Sequence, residues 1–189
     1  MPDLQIIVTS TRPSRRAPAV AAWFSKQARA HRGFDVSVTD LAELDLPLFD
    51  EPQHPRLGKY EHEHTRRWSG LVDAADAFVF VTPEYNYGTP PALVNAIDFL
   101  SREWAYKPAG FVSYGGVSAG TRSVQMTKQL LTTVRVMPIP EAVAIPFFVE
   151  HLNADTGEFE PGEAQEKAAA AMLDELLRWT GALQTLRQG

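Results

Sequence analysis

Ala77-Phe78-Val79-Phe80-Val81-Thr82-Pro83-Glu84-Tyr85-Asn86-Tyr87-Gly88-Thr89-Pro90 is the stretch that decides how this chain folds. Its first five residues are apolar at odd and even positions alike, which is the pattern of a strand covered on both faces in the middle of a parallel sheet. Thr89 followed by Pro90 signals a helix start, with Thr89 as the expected cap and Pro90 in the first position. Leu93, Ile97 and Leu100 then line one side of that helix. A strand buried on both faces needs helices above and below it, so further strand–helix units are expected on either side.

They are present in both directions. Residues 4–8 form a short apolar run that breaks into Thr9-Ser10-Thr11-Arg12-Pro13-Ser14. Pro18 fits only the first turn of a helix, so a helix begins near Arg15 or Arg16. Val20, Trp23, Phe24 and Ala28 recur at helical spacing and Gly33 ends the pattern. Residues 34–40 alternate apolar and polar, as an edge strand with one wet side does. Residues 42–60 carry Pro47, Pro52 and Pro55 and read as a long irregular segment, a length that calls for a purpose such as a lid or an oligomer contact. A helix over 61–74 precedes the quoted strand. Beyond it come a short fourth strand at 111–113, a helix over 121–134, a fifth strand at 143–145, and a last helix over 163–186 with Met172, Leu176, Trp179 and Leu183 on one stripe. Five strands alternating with five helices, without an internal repeat, predict an α/β doubly wound five-stranded parallel sheet with helices on both faces. Residues 1–189 read as one domain.

Composition sets the outer bounds. The chain has 189 residues, 44% hydrophobic and 22% charged, with no cysteine. Disulfides, thiolate nucleophiles and sulfur-ligated metal centres are therefore excluded, and redox chemistry would need a bound cofactor. The net charge of −5 argues against a nucleic-acid partner. The sequence starts directly on an apolar strand, and no stretch reads as a leader or a membrane span, so a cytoplasmic protein is expected. The charge is unevenly placed: residues 4–34 hold six basic residues and no acidic one, and the rest holds 12 basic against 23 acidic. Lys26, Arg29 and Arg32 suit the C-terminal end of the first helix. Arg12, Arg15 and Arg16 sit at its N-terminal end, where the dipole favours acids, and this points to a bound anion.

In an open parallel sheet, ligands bind outside the carboxyl ends of the strands where strand order reverses. Three loops qualify. The first, 9–16, offers hydroxyls from Thr9, Ser10, Thr11 and Ser14, the Arg12 guanidinium and helix N-terminal amides, the donors a phosphate needs, although strand-to-helix turns are rich in Ser and Thr in any case. It lacks the Gly-Lys-Ser/Thr of a Walker loop. The second, 83–90, has two tyrosines and Asn86 between stiff prolines. It suits either a flat ligand with a polar edge or a turn whose tyrosines pack on a neighbour. The third runs Ser113-Tyr114-Gly115-Gly116-Val117-Ser118-Ala119-Gly120, and its paired glycines serve either close approach to a planar ring or a simple turn. His62 and His64 do not share a helix face, and no metal site is expected. Glu84 is expected in a backbone or subunit salt bridge rather than in acid catalysis. Trp23 and Trp179 fit helix stripes, while Trp68 and Trp104 fit either the core or the border of an acceptor site.

Taken together, these loops make the chain resemble the NADPH-dependent FMN reductase family of the flavodoxin-like superfamily. Thr82-Pro-Glu-Tyr-Asn86, with Pro90 and Asn95-Ala-Ile-Asp98, looks like the family's flavin loop and following helix; Ser10, Thr11 and Arg12 match its phosphate loop; Ser113 to Gly116 match the loop at the far edge of the isoalloxazine; and 46–52 looks like the segment near its subunit contact. The resemblance implies a flavodoxin-like fold, FMN as cofactor and NADPH as co-substrate, with a quinone, free flavin or similar small molecule as electron acceptor. It places Ser10, Thr11, Arg12 and Arg15 at the FMN phosphate, and Pro83, Glu84, Tyr85, Asn86, Tyr87, Ser113, Tyr114, Gly115 and Gly116 around the ring. It requires no catalytic side chain and implies a homodimer or homotetramer. The rival readings are a flavodoxin-type electron carrier, which the modest acidity suits poorly, and a regulatory protein that has lost FMN. Thr9 and Ser14 stand where the family often has glycine, and Ala119-Gly120 where it often has Gly-Gly. A β-branched Thr9 resists positive φ, so the first loop is expected to follow a different backbone path or to hold phosphate less well.

Overall fold

The computed structural model describes residues 1–187. Strands β1 (Asp3–Val8), β2 (Asp35–Asp40), β3 (Ala77–Pro83), β4 (Pro108–Tyr114) and β5 (Met137–Ile145) form one parallel sheet in the order β2-β1-β3-β4-β5. The helices are α1 (Ala17–His31), α2 (Leu41–Leu44), α3 (Glu63–Ala74), α4 (Pro91–Asp98), α5 (Thr121–Thr133) and α6 (Glu163–Arg187). Every residue of β3 and β4 is buried. One face of the sheet, with Leu4, Ile6, Val79, Val81 and Val112, packs under α1 and α6; the other, with Ile7, Phe78, Phe80 and Phe111, packs under α3, α4 and α5. The strand order makes this the doubly wound flavodoxin-like arrangement, and its helices on both faces give the continuous apolar run of β3 the cover it needs. Among the described residues no helix is long and apolar enough to cross a membrane.

Trp68 and Trp104 are both fully buried in the second core, their rings edge to face at 5.7 Å, and Trp68 Nε1 donates to the Ala96 carbonyl at 2.8 Å. They are core residues and do not border a site. Several boundaries differ from the sequence reading. β4 starts three residues earlier than expected and β5 six. In β4, Gly110 hides the strand; a Cβ there would come within 2.8 Å of Met172 Sδ on α6, so a larger residue would have to push Met172 from its place against the sheet. In β5, Pro138 and Pro140 mask the strand, and the edge position tolerates their missing amides. α2 is a sixth helix too short for any periodicity to show, opened by the Asp40 carboxylate accepting from the Ala42 amide. Thr89 does not cap α4. Pro90 is the N-cap, Pro91 is the first residue and Leu100 lies past the end, while the Thr89 hydroxyl donates to the Ser123 carbonyl at 3.1 Å and pairs with Thr127 at 2.8 Å. The polar side of β2 is not simply wet, because Ser37 and the buried Thr39 both bond to the Gln5 amide on β1, while Val38 is exposed.

The irregular segment 45–62 is strapped to the body by side chains. Asn95 donates to the Pro47 carbonyl (2.7 Å) and accepts from the Phe49 amide (2.9 Å). Buried Glu51 accepts the Glu61 and His62 amides, and Tyr60 and Ser69 both donate to buried Glu103. Arg102 reaches across to the Leu57 carbonyl at 3.1 Å. These ties make it a fixed strap, not a free lid.

Candidate functional site

Because β2 lies on one side of β1 and β3 on the other, the loops after β1 and β3 leave the sheet at the reversal of strand order, and the loop after β4 lies beside them. The fold thus brings the three predicted loops to one edge.

The first loop starts locked to β3. The Thr9 amide and hydroxyl both donate to the Val81 carbonyl, each at 3.1 Å. Positive φ angles among the described residues all fall outside residues 9–16. Thr9 and Ser14 therefore occupy positions where this backbone path needs no glycine. Thr11, Arg12 and Ser14 are exposed. No side chain caps α1, and its first turn carries no acid, so the dipole and amides there are not neutralised from within. Arg12 makes no ion pair among the described residues. Arg15 does, with Nη2 2.9 Å from Asp40 Oδ2 at the end of β2.

In the second loop, Tyr85 and Gly88 exchange both backbone hydrogen bonds, at 3.1 and 2.9 Å. The two residues between them, Asn86 and Tyr87, have φ of +48° and +70°, the sign pattern of a type I′ turn. The Tyr85 hydroxyl hydrogen-bonds Ser10 Oγ at 2.5 Å, and the Arg12 guanidinium lies 5.9 Å from the Tyr85 ring centre. The first and second loops are therefore in direct contact. Asn86 and Tyr87 remain exposed. Glu84 turns inward and accepts from Arg122 Nε (2.7 Å), the Arg122 amide (3.1 Å) and Ser118 Oγ (3.4 Å). The Arg122 hydrogen bond, more than any other influence, holds the Glu84 carboxyl below the usual carboxylate range against the cost of burial. It is an intramolecular salt bridge that caps α5, and it is ionised rather than poised to give a proton.

In the third loop, Ser113 and Tyr114 end β4 and are buried. The Tyr114 ring stands edge-on to Phe148 at 4.9 Å. Burial first, and Tyr85 second, push its phenol pKa up, while Ser10, Arg12 and Arg15 pull the other way. Its hydroxyl thus belongs to the surroundings of the first loop. The Phe147 and Phe148 amides donate to the Gly116 and Gly115 carbonyls, each at 3.1 Å. Gly120 has φ +76°, and a Cβ on it would lie 2.8 Å from the Tyr114 carbonyl oxygen; Ala119, at +53°, carries its methyl in a buried place. Glycine is needed at the second of these positions, which accounts for Gly120.

Sequence reasoning passed over Ser118 and Arg122. The Arg122 guanidinium stacks 3.8 Å from the Tyr87 ring centre, a contact between residues 35 apart that no local pattern signals. Among the described residues no group of three or more potential ligands could hold a metal ion. His62 and His64 stack at 5.1 Å, and His64 hydrogen-bonds Asp50.

An uncapped helix start beside the uncommitted Arg12 suits a phosphate, and tyrosine rings with turn amides next to it suit a planar polar-edged group. These features define an open α/β protein of flavodoxin-like topology whose three loops meet at the switch point of the sheet. A family model described as NADPH-dependent FMN reductase matches residues 2–150, and the chain belongs to that family. An NAD(P)H-dependent FMN reductase of Schizosaccharomyces pombe is 38% identical over 148 residues, 77% of this chain and 74% of that protein. One from Saccharomyces cerevisiae is 37% identical over 153 residues, 75% and 80% respectively. Among solved structures, a flavoenzyme NAD(P)H:(acceptor) oxidoreductase from Paracoccus denitrificans superposes with a TM-score of 0.76 over 96% of this chain and 98% of its own, at 24% identity, a likeness of fold.

Proposed function

We propose that residues 1–189 form a single domain that holds FMN across the three loops and uses NADPH to reduce a quinone, free flavin or similar small acceptor. FMN, when bound, supplies the hydride and electron chemistry, and the protein supplies binding, orientation and shelter. Arg12, with Ser10, Thr11 and the first turn of α1, would hold the phosphate, while Arg15 would sustain the positive field from its ion pair with Asp40. Tyr85, Asn86 and the turn amides from 84 to 87 would meet the ring, with Pro83 setting the loop's exit from β3. Ser113 and Tyr114 would back the site, and Gly115 and Gly116 would let the ring lie close. The observation that carries this reading is the contact between the two loops: Tyr85 on the flavin loop bonds Ser10 on the phosphate loop, beside the uncommitted Arg12.

The test is direct. Purified protein should show a flavin absorption band that NADPH bleaches, and Arg12→Ala should weaken FMN binding by about 10- to 100-fold. A colourless protein that takes up no FMN on incubation would overturn the assignment. We also read the protein as cytoplasmic and as a homodimer or a tetramer of dimers, assembled through the strapped segment around 46–52, where Leu48 and Phe49 are exposed. A monomeric mass by light scattering at micromolar concentration would count against that assembly.

A further inference from the structure

Of the cations on or next to the three loops, Arg12, Arg15 and Arg16 lie on the first, and Arg122 follows directly on the third. Arg122 is fixed from two sides. Behind it, the Glu84 carboxylate, whose side chain is 7% exposed, takes its Nε and Nη2. Beneath it, the Tyr87 ring lies 3.8 Å away, on a backbone held at φ +70° by the tight turn. Two such restraints on a flexible side chain remove most of the entropy that immobilising it on a ligand would otherwise cost. Glu84 is already engaged by the Arg122 amide and Ser118 as well, so it orients the guanidinium without using the rest of its donor fork. Nearly half of the Arg122 side chain remains open to solvent, and Tyr87 beneath it is exposed as well. A guanidinium presented in this way matches phosphate oxygens in pairs.

We infer that Arg122 is a binding residue for the reducing co-substrate, holding a phosphate group of the pyridine nucleotide beside Tyr87. The inference rests on the reading of these loops as the FMN and NADPH site. NADPH offers two sources for that phosphate, the adenosine 2′-phosphate and the diphosphate bridge; NADH offers only the second.

The experiment is calorimetric titration of the FMN-loaded wild type, Arg122→Gln and Arg122→Lys with NADP+ and with NAD+, flavin content being read by absorbance to verify that each variant is folded. In Arg122→Gln the NADP+ Kd should rise by about tenfold. In Arg122→Lys it should rise by less, because a point charge cannot form the paired contact. A rise confined to NADP+ identifies the 2′-phosphate, and an equal rise for both nucleotides identifies the diphosphate. Wild-type NADP+ affinity in either flavin-loaded variant overturns the inference and leaves the FMN assignment standing. A wild type that takes up no flavin and consumes no NADPH fails the underlying function instead.

Discussion

The loop after β1 and the pair of loops after β3 and β4 leave the same edge of one sheet, yet they are built in opposite ways. Beyond Thr9 and the Ser10–Tyr85 contact, residues 9–16 are largely exposed, free of positive φ and thinly bonded, with Arg12 uncommitted. The other pair is closed upon itself by the Tyr85–Gly88 turn, the Glu84–Arg122 bridge, the positive φ angles at Asn86, Tyr87, Ala119 and Gly120, and the amides of Phe147 and Phe148 on the glycine carbonyls. The contrast teaches where each loop's conformation comes from. A charged phosphate can organise a loose loop as it binds, because each charge-assisted contact is strong. A planar ring offers weaker, directional contacts and needs a surface already in shape.

Breaking the rigid side should cost stability, and breaking the loose side should not. Gly120→Ala should have the largest effect. It places a methyl against the Tyr114 carbonyl at a positive φ, should cost about 2–4 kcal/mol, and should lower Tm by roughly 10 °C in a calorimetric scan. Ser14→Gly in the first loop should shift Tm by less than about 2 °C, since no strained angle there awaits relief. If the two substitutions cost the same, the contrast is false. Glu84→Gln falls between them, at about 1–3 kcal/mol at neutral pH by urea denaturation, since it loosens the cap on α5. The folded-state pKa of Glu84 lies below its ordinary 4.5, so its ionised form adds stability above that value, and this contribution is lost as pH falls through the folded-state pKa. The difference between wild type and Glu84→Gln should accordingly shrink below about pH 4.5. A constant difference across that range would show that the charge on Glu84 is not what matters.

Much of the fold could be read from the sequence, and the exceptions have physical causes. β3 is unmistakable because burial on both faces leaves no room for polar residues, and α1 is marked by Pro18 and its apolar stripe. β5 is not, because an edge strand can carry Pro138 and Pro140 without losing ladder bonds it needs. Thr89 looks like a helix cap because N-cap positions favour Ser and Thr, but its buried hydroxyl instead finds its acceptor on α5. The convergence of the three loops was legible because each follows a strand whose pattern places it in the parallel sheet. What the sequence could not show is which arginine is committed to what. Arg15 answers to Asp40, 25 residues away, Arg122 answers to Glu84, 38 residues back, and Arg12 to neither kind of partner.

The strap from 45 to 62 carries one further consequence. Loops of ordinary crossovers absorb insertions easily because little holds them, whereas this one is riveted by Asn95, Glu103 and Arg102, which reach in from elsewhere in the chain, and is cross-braced within itself by Glu51. A stretch with almost no regular backbone pairing thus acts as a strut. Grafting extra residues into it would strip buried Glu51 of its two amide partners and buried Glu103 of the Tyr60 hydroxyl at once.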